Sequence, residues 1–245
     1  IWLGEHAAEL KNNNKTLLDD LDDIYARYGY CHNYLTEIRL LGAKGMEQIL
    51  MIMNHLRETR IDAFGDFSVQ QKIDRRDGEP QPHLSPTDTS ARNMLVYHMD
   101  NTPDTTSLRV TVRPSGTEPK IKMYFEVFGK PFKKENIEPE KEKMIKLRER
   151  LEKNVMQYCY NLLEVDFPDR GFLLFWQLPL DDKLKYFEIE EDIIGLKSIS
   201  DENERKEKLF NLLEFLGANP IQKIDKAFKE KYKIGILQYL GLPEQ

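Results

Sequence analysis

Two segments in which apolar and polar side chains alternate enclose a short turn, and this feature most restricts how the chain can fold. Residues 108–112 precede the turn and residues 121–128 follow it. Successive side chains of a strand point to opposite faces, so a period of two is typical of strands with one buried face. The Pro-Ser-Gly-Thr sequence between them is typical of a turn. We therefore predict two strands joined by a loop at residues 113–120.

Further strands and helices are predicted around this pair. Alternating or β-branched character predicts three strands, at residues 31–40, 67–73 and 94–99, the last forming a hairpin with residues 108–112. Helical spacing predicts helices at residues 1–11, 44–57 and 138–164, and one with an apolar and an acidic face that ends at Gly29. Asp77-Gly78 and the prolines Pro80, Pro82 and Pro86 predict a loop. We expect an α+β domain with helices on one face of an antiparallel sheet.

The composition changes near Val165. Residues 167–171 have the character of a turn or linker, and a short apolar run follows at 172–178. From Asp181 onward the pattern predicts three or four short helices. The chain is therefore expected to end in an all-helical extension whose role the sequence does not indicate.

Charge and cysteine content exclude several classes of protein. The formal net charge is -6 and the pI is near 5.5, which argues against a general nucleic-acid or membrane-surface binder. No apolar run approaches the roughly 20 residues that a membrane helix needs. Cys31 and Cys159 form no CxxC pair, so two free thiols and a cytoplasmic location are predicted, although the sequence leaves a disulfide between them open.

The loop at residues 113–120 contains the groups of an anion-binding site. Arg113 offers a planar fork that matches phosphate oxygens, and Ser115 and Thr117 offer hydroxyl groups. Gly116 lets backbone amides approach an anion without a Cβ atom between them. A bare Ser-Gly-Thr sequence is more typical of an ordinary tight turn, so the interpretation depends on the flanking residues.

Those flanks resemble a known family. The octapeptide Arg-Pro-Ser-Gly-Thr-Glu-Pro-Lys at residues 113–120, continued by Ile121-Lys122, resembles the C-terminal signature of the α-D-phosphohexomutase superfamily, in particular its phosphoglucomutase/phosphomannomutase branch, which includes phosphopentomutases. Residues 15–30 are similar to the helix that joins the third and fourth domains of these enzymes. The resemblance extends over residues 1–164, and the chain has no initiator Met, so we expect an upstream part.

The resemblance implies a division of the chain. Residues 1–29 would be the end of domain 3 and the interdomain helix. Residues 30–165 would be domain 4, the phosphate-binding C-terminal domain, with a TATA-box-binding-protein-like fold. Residues 166–245 have no counterpart in the family and form the helical extension.

The resemblance also implies a function. In this family a phosphoserine of domain 1 exchanges its phosphoryl group with a hexose phosphate through a hexose bisphosphate, Mg²⁺ is held by domain 2, and domain 4 grips the phosphate that does not react. The matching positions for that grip are Arg113, Ser115, Gly116 and Thr117, with Lys120 as a further candidate. The chain lacks the family's nucleophile, metal and sugar loops, so catalytic and metal residues are expected upstream. The fragment alone is expected to be inactive.

The parent is thus predicted to interconvert the 1- and 6-phosphates of glucose or mannose, with the upstream domains of the same enzyme as partners and no nucleic acid or membrane. Two alternatives remain open: a mutase for a pentose or amino-sugar phosphate, and a non-catalytic sugar-phosphate-binding or interaction module. The five histidines have no metal-ligand spacing, so neither a zinc site nor a catalytic dyad is predicted at His6, His32, His55, His83 and His98.

Overall fold

A computed structural model describes residues 1–76 and 92–243. These residues form α-helices and one six-stranded sheet. The strands are β1 (Cys31–Arg39), β2 (Ala63–Phe64), β3 (Phe67–Asp74), β4 (Leu95–Met99), β5 (Thr105–Pro114) and β6 (Lys120–Gly129). The α-helices are α1 (Trp2–Asn12), α2 (Leu17–Tyr28), α3 (Gly42–Glu58), α4 (Ile137–Leu162), α5 (Leu180–Glu188), α6 (Glu190–Gly195), α7 (Glu202–Leu212), α8 (Pro220–Tyr232) and α9 (Ile236–Leu240). The loop predicted at Asp77-Gly78 and the three prolines lies outside the described residues.

The six strands form a sheet in the order β1-β6-β5-β4-β3-β2. Strands β4 and β5 are antiparallel, with Val96 opposite Thr111, and this confirms the predicted hairpin. Strand β3 pairs with β4 in the same sense, with a register shift between Val69 and Gln71. The predicted α+β class, with an antiparallel sheet and a helical extension, is confirmed.

Three details differ from the sequence prediction. Strand β2 was not predicted, because two residues are too few to show a period. Strand β5 begins at Thr105 rather than near Leu108. In the described residues the extension contains five α-helices, α5 to α9, rather than three or four. Two of them are only five or six residues long, too short to show a helical period in the sequence.

The contacts divide the chain into two compact units. Unit 1 comprises Ile1–Leu35, Leu56–Arg113 and Met123–Val155, and unit 2 comprises Thr36–His55, Pro114–Lys122 and the chain from Met156 onward. The division runs through β1 and β6, so it does not test the predicted division at residues 29/30 and 165/166. That division stays a prediction.

Unit 1 has an aromatic contact at the centre of its core. Phe64 and Tyr97 are fully buried and meet edge to face, with ring centroids 5.2 Å apart. The Tyr97 hydroxyl donates a hydrogen bond of 2.8 Å to the Leu56 carbonyl, so the ring is buried without leaving its polar end unpaired. Burial of one such side chain stabilises the fold by about 1.5–3 kcal/mol.

Helix α2 of unit 1 is defined by its ends. Thr16 and Asp19 form a capping box at its start, and Gly29 ends it with a φ of 97°. Its acidic side makes ion pairs, in which Asp23 accepts from Lys15 at 2.9 Å and from Lys134 at 2.6 Å. Its apolar side is exposed in the described structure, at Leu17, Leu18, Leu21 and Ile24.

Unit 2 contains a hydrophobic cluster built from the C-terminal helices. Its fully buried members include Tyr186, Ile193, Leu209 and Phe228. The predicted free thiols are present, since Cys31 and Cys159 are unpaired. No helix in the described part of the chain is long and apolar enough to cross a membrane.

Candidate functional site

The predicted anion-binding loop connects β5 to β6. Strand β5 ends at Pro114 and β6 begins at Lys120. The Ser115 amide donates to the Lys120 carbonyl at 2.8 Å, and the Lys120 amide donates to the Glu118 carbonyl at 2.8 Å. These two bonds close the loop, so the Ser115 amide is already used and the loop has a defined shape.

The tip of this loop keeps its donors free. Gly116 and Thr117 are exposed, and among the described residues their amides have no hydrogen-bond acceptor. The hydroxyl groups of Ser115 and Thr117 likewise have no partner within residues 1–76 and 92–243. Two amides and two hydroxyls in a short loop are suited to an anion, which accepts several hydrogen bonds at once.

Arg113 lies one residue before the end of β5 and belongs to unit 1. It is half-buried, and its Nε atom is buried without a hydrogen-bond partner among the described residues. Buried polar atoms are nearly always hydrogen-bonded, yet among the described residues the Nε atoms of Arg148 and Arg205 also lack a partner. The unpaired Nε therefore does not by itself single out Arg113, whose position directly before the loop makes it the candidate ligand.

A cavity of about 510 Å³ in unit 1 is lined in part by Arg113. Its other lining residues with polar groups are Asn33, Tyr34, Thr111, Tyr124 and Glu126. The Glu126 carboxylate accepts two hydrogen bonds from the Arg109 guanidinium, and this contact raises the pKa of Arg109. Because Glu126 is neutralised by Arg109, it does not need Arg113 as its counter-ion.

Lys120 is placed differently from the rest of the predicted site. It is only 7% exposed, and its ammonium group lies 2.6 Å from Glu118 Oε2 and 3.3 Å from Glu37 Oε2. The hydrogen bond to Glu118 raises the pKa of Lys120, and the same bond lowers the pKa of Glu118. Lys120 is therefore charged at neutral pH, and in this structure carboxylates already pair with it.

Two charged residues near Lys120, namely Glu37 and Arg39, were not predicted from the sequence. Glu37 is buried on β1, and it also accepts a hydrogen bond from Arg39 Nε. The available signal was two charged side chains, Glu37 and Arg39, close together at the end of a predicted strand, since a buried charge needs a partner. That signal does not name the partner, because Lys120 is far away in the sequence.

The predicted residues thus fall in both units, Arg113 in unit 1 and Ser115, Gly116, Thr117 and Lys120 in unit 2. Among the described residues, no group of three or more His, Cys, Asp or Glu side chains could hold a metal ion. Of the histidines, His6 pairs with Asp20 at 2.9 Å and His55 with the Tyr158 hydroxyl at 2.9 Å.

Comparison with known proteins supports the resemblance. Residues 102–140, which include the loop, match the family described as phosphoglucomutase/phosphomannomutase, C-terminal domain. The chain is similar to phosphoglucomutase of Staphylococcus aureus strain MSSA476, with 32% identity over 134 residues, 49% of this chain and 21% of the relative. Phosphoglucomutase of Staphylococcus epidermidis strain RP62A is 32% identical over 128 residues, 49% of this chain and 22% of the relative.

The chain therefore spans about a fifth of the length of these relatives. The predicted resemblance to the C-terminal part of the α-D-phosphohexomutase superfamily is confirmed.

Proposed function

We propose that this chain is the substrate-phosphate-binding C-terminal part of a phosphoglucomutase/phosphomannomutase. The longer enzyme would transfer a phosphoryl group between the 1- and 6-positions of a hexose phosphate, through a phosphoserine and a hexose bisphosphate. Mg²⁺ would be bound by that enzyme outside this chain, together with the groups that react. The task of this chain would be to hold the phosphate that does not react.

The observation that carries the proposal is the open loop tip. The amides of Gly116 and Thr117 and the hydroxyl groups beside them have no acceptor among the described residues, and the preceding Arg113 has a buried donor without a partner. A hydrogen bond to a charged group contributes about 1.5–3 kcal/mol. At the lower end of this range, three or four such bonds contribute about 4.5–6 kcal/mol, which corresponds to a dissociation constant of tens to hundreds of micromolar.

A grip on phosphate also suits a mutase for a physical reason. The bisphosphate intermediate has to be bound in two orientations, and the group at the non-reacting end is a phosphate in both. A site that recognises phosphate therefore serves both orientations, whereas a site that recognises sugar hydroxyls would favour one of them.

The proposal is tested by titrating the full 245-residue chain with inorganic phosphate and following amide shifts by NMR. We expect the shifts to change at Gly116 and Thr117, and Arg113→Ala to weaken binding at least about tenfold, since one charge-assisted bond is worth more than 1.4 kcal/mol. Arg60→Ala is the control, because Arg60 is an exposed arginine of unit 1 whose one ion-pair partner among the described residues is the exposed Asp62. Unchanged loop shifts, or equal losses in the two variants, would contradict the proposal.

The same titration separates the hexose assignment from the alternatives. Glucose 6-phosphate and ribose 5-phosphate should bind with similar dissociation constants, within about threefold, because the loop contacts phosphate and not the sugar. A strong preference of this chain for one sugar would mean that it also selects the substrate.

A further inference from the structure

Four charged side chains of unit 2 form a network of ion pairs, here called the base cluster: Glu37, Arg39, Glu118 and Lys120. Lys120 bridges the two carboxylates, at 3.3 Å from Glu37 and 2.6 Å from Glu118. Arg39 donates from Nε to the other oxygen of Glu37. Two positive and two negative charges balance in the cluster.

The two carboxylates of the base cluster are held very differently. The Glu37 side chain is 3% exposed, lies on a strand and has two cationic partners. The Glu118 side chain is 52% exposed and lies in the loop. Its one ion-pair partner within the described residues is Lys120. Removing a buried charge from its partners is costly, whereas an exposed ion pair contributes little because water can replace the partner.

Space is available next to this network. A cavity of about 140 Å³ in unit 2 is lined by Arg39, Glu118 and Lys120, together with the apolar Leu40, Leu41, Pro119 and Pro179. A water molecule occupies about 30 Å³, so this space holds more than a single water. An anion could approach Lys120 there once the Glu118 carboxylate has left.

We propose that Lys120 exchanges the Glu118 carboxylate for the substrate phosphate, while Glu37 stays in place as the residue that positions the Lys120 ammonium. The inference rests on the proposed function, because it concerns the same phosphate site. With Glu118 turned into solvent, the remaining three charges of the base cluster are net positive. Glu118 thus acts as an internal competitor of the phosphate, and Glu37 determines where the ammonium is presented.

The exchange is tested by calorimetric titration of the full chain with inorganic phosphate at pH 8, where the dianion predominates. Glu118→Gln should lower the dissociation constant about two- to fivefold, the range expected when a competing carboxylate that is itself exposed to water is lost. The matched control is Glu204→Gln, because Glu204 is also 52% exposed and pairs with Lys208 at 2.7 Å. This control should leave the dissociation constant unchanged.

A double-mutant cycle separates the exchange from simple removal of a negative charge. In a Lys120→Met background, Glu118→Gln should give no gain in phosphate affinity. If the gain persists in that background, or if Glu118→Gln binds phosphate like the wild-type chain, the exchange is overturned. If the wild-type chain does not bind phosphate at all, the proposed function fails and the exchange fails with it.

The role of Glu37 has a separate test that keeps the net charge constant. Glu37→Asp shortens the side chain by one methylene, so we expect the dissociation constant for phosphate to rise at least about threefold because the ammonium is misplaced. The same substitution should have no effect on phosphate affinity in the Lys120→Met background. An equal loss in both backgrounds would show that Glu37 supports only the fold, and it would overturn its positioning role.

Discussion

Individual charged residues of this chain differ in whether other side chains already pair with them. Arg113 has a buried donor without a partner among the described residues, whereas Lys120 is paired with two carboxylates. Both were predicted as phosphate ligands from one octapeptide. Under the proposed function they would contribute differently, because Arg113 Nε has no partner to give up whereas Lys120 would first have to exchange one.

Glu190 is the clearest case of a buried charge that is fully satisfied. It is 2% exposed and accepts hydrogen bonds from Arg170, from Lys231 at 2.8 Å and from the Tyr186 hydroxyl at 3.2 Å. Burial alone would raise the pKa of Glu190, but the bonds from Arg170 and Lys231 outweigh it and lower that pKa. The network therefore stabilises the helical extension while Glu190 is ionised.

We predict that Glu190→Gln lowers the free energy of unfolding by about 3 kcal/mol at pH 7, because it leaves two partly buried cations without their counter-ion. The control is the neighbouring Glu191→Gln, since that side chain is 80% exposed and should cost less than about 0.5 kcal/mol. Urea unfolding measures both. Because the folded pKa of Glu190 is lowered from 4.5, the difference between wild type and Glu190→Gln should shrink as the pH falls below that value. A difference that does not change with pH would contradict this account.

At the scale of elements, helix boundaries depend on single residues with a definite local task. Gly29 ends α2 with a φ of 97°, and a Cβ atom at this position would lie 2.1 Å from the Gly129 carbonyl oxygen. Both the backbone conformation and the space therefore require glycine there. Gly4, within α1, has nothing within 4 Å of its Cβ position and no unusual φ.

We predict that Gly29→Ala destabilises the chain by at least about 2 kcal/mol, through the strained φ and the clash with Gly129. Gly4→Ala is the matched control and should stabilise α1 by about 0.5–1 kcal/mol, since alanine favours helix. Thermal unfolding followed by circular dichroism compares the two variants. Equal effects at the two positions would mean that Gly29 ends the helix without being required there.

At the scale of the whole molecule, the chain corresponds to about a fifth of the relatives that it matches. Its proposed contribution is binding, so its effect on catalysis has to be measured in a longer enzyme that contains it. Helix α2 exposes an apolar side, and its predicted interdomain position stays a prediction.

In such an enzyme we predict that Arg113→Ala raises KM for the hexose phosphate about tenfold or more and lowers kcat much less, because the lost bond is present in both the ground state and the transition state. Steady-state kinetics with glucose 1-phosphate measures the two parameters. A fall in kcat with an unchanged KM would assign Arg113 to the chemical step instead of to phosphate binding.

The sequence alone determined the elements and the position of the candidate loop. The period of two around residues 108–128 predicted β5 and β6 to within three residues, and helical spacing predicted α1, α3 and α4 almost to their ends. These features are local, since periodicity depends on neighbours in the chain, and so is the octapeptide that indicates phosphate. The two-residue strand β2 was missed because it has no period to detect.

Only the tertiary structure decided which side chains meet. Lys120 acquires Glu37 and Arg39 as neighbours because β1 lies next to β6 in the sheet, although many residues separate them in the chain. Glu190, at the start of α6, is paired with Lys231 because α8 packs next to it. Strand order and helix packing set these contacts, and neither is encoded in a local pattern. The sequence therefore located the candidate loop, and the packing determined which of its charged side chains are already paired within the described residues.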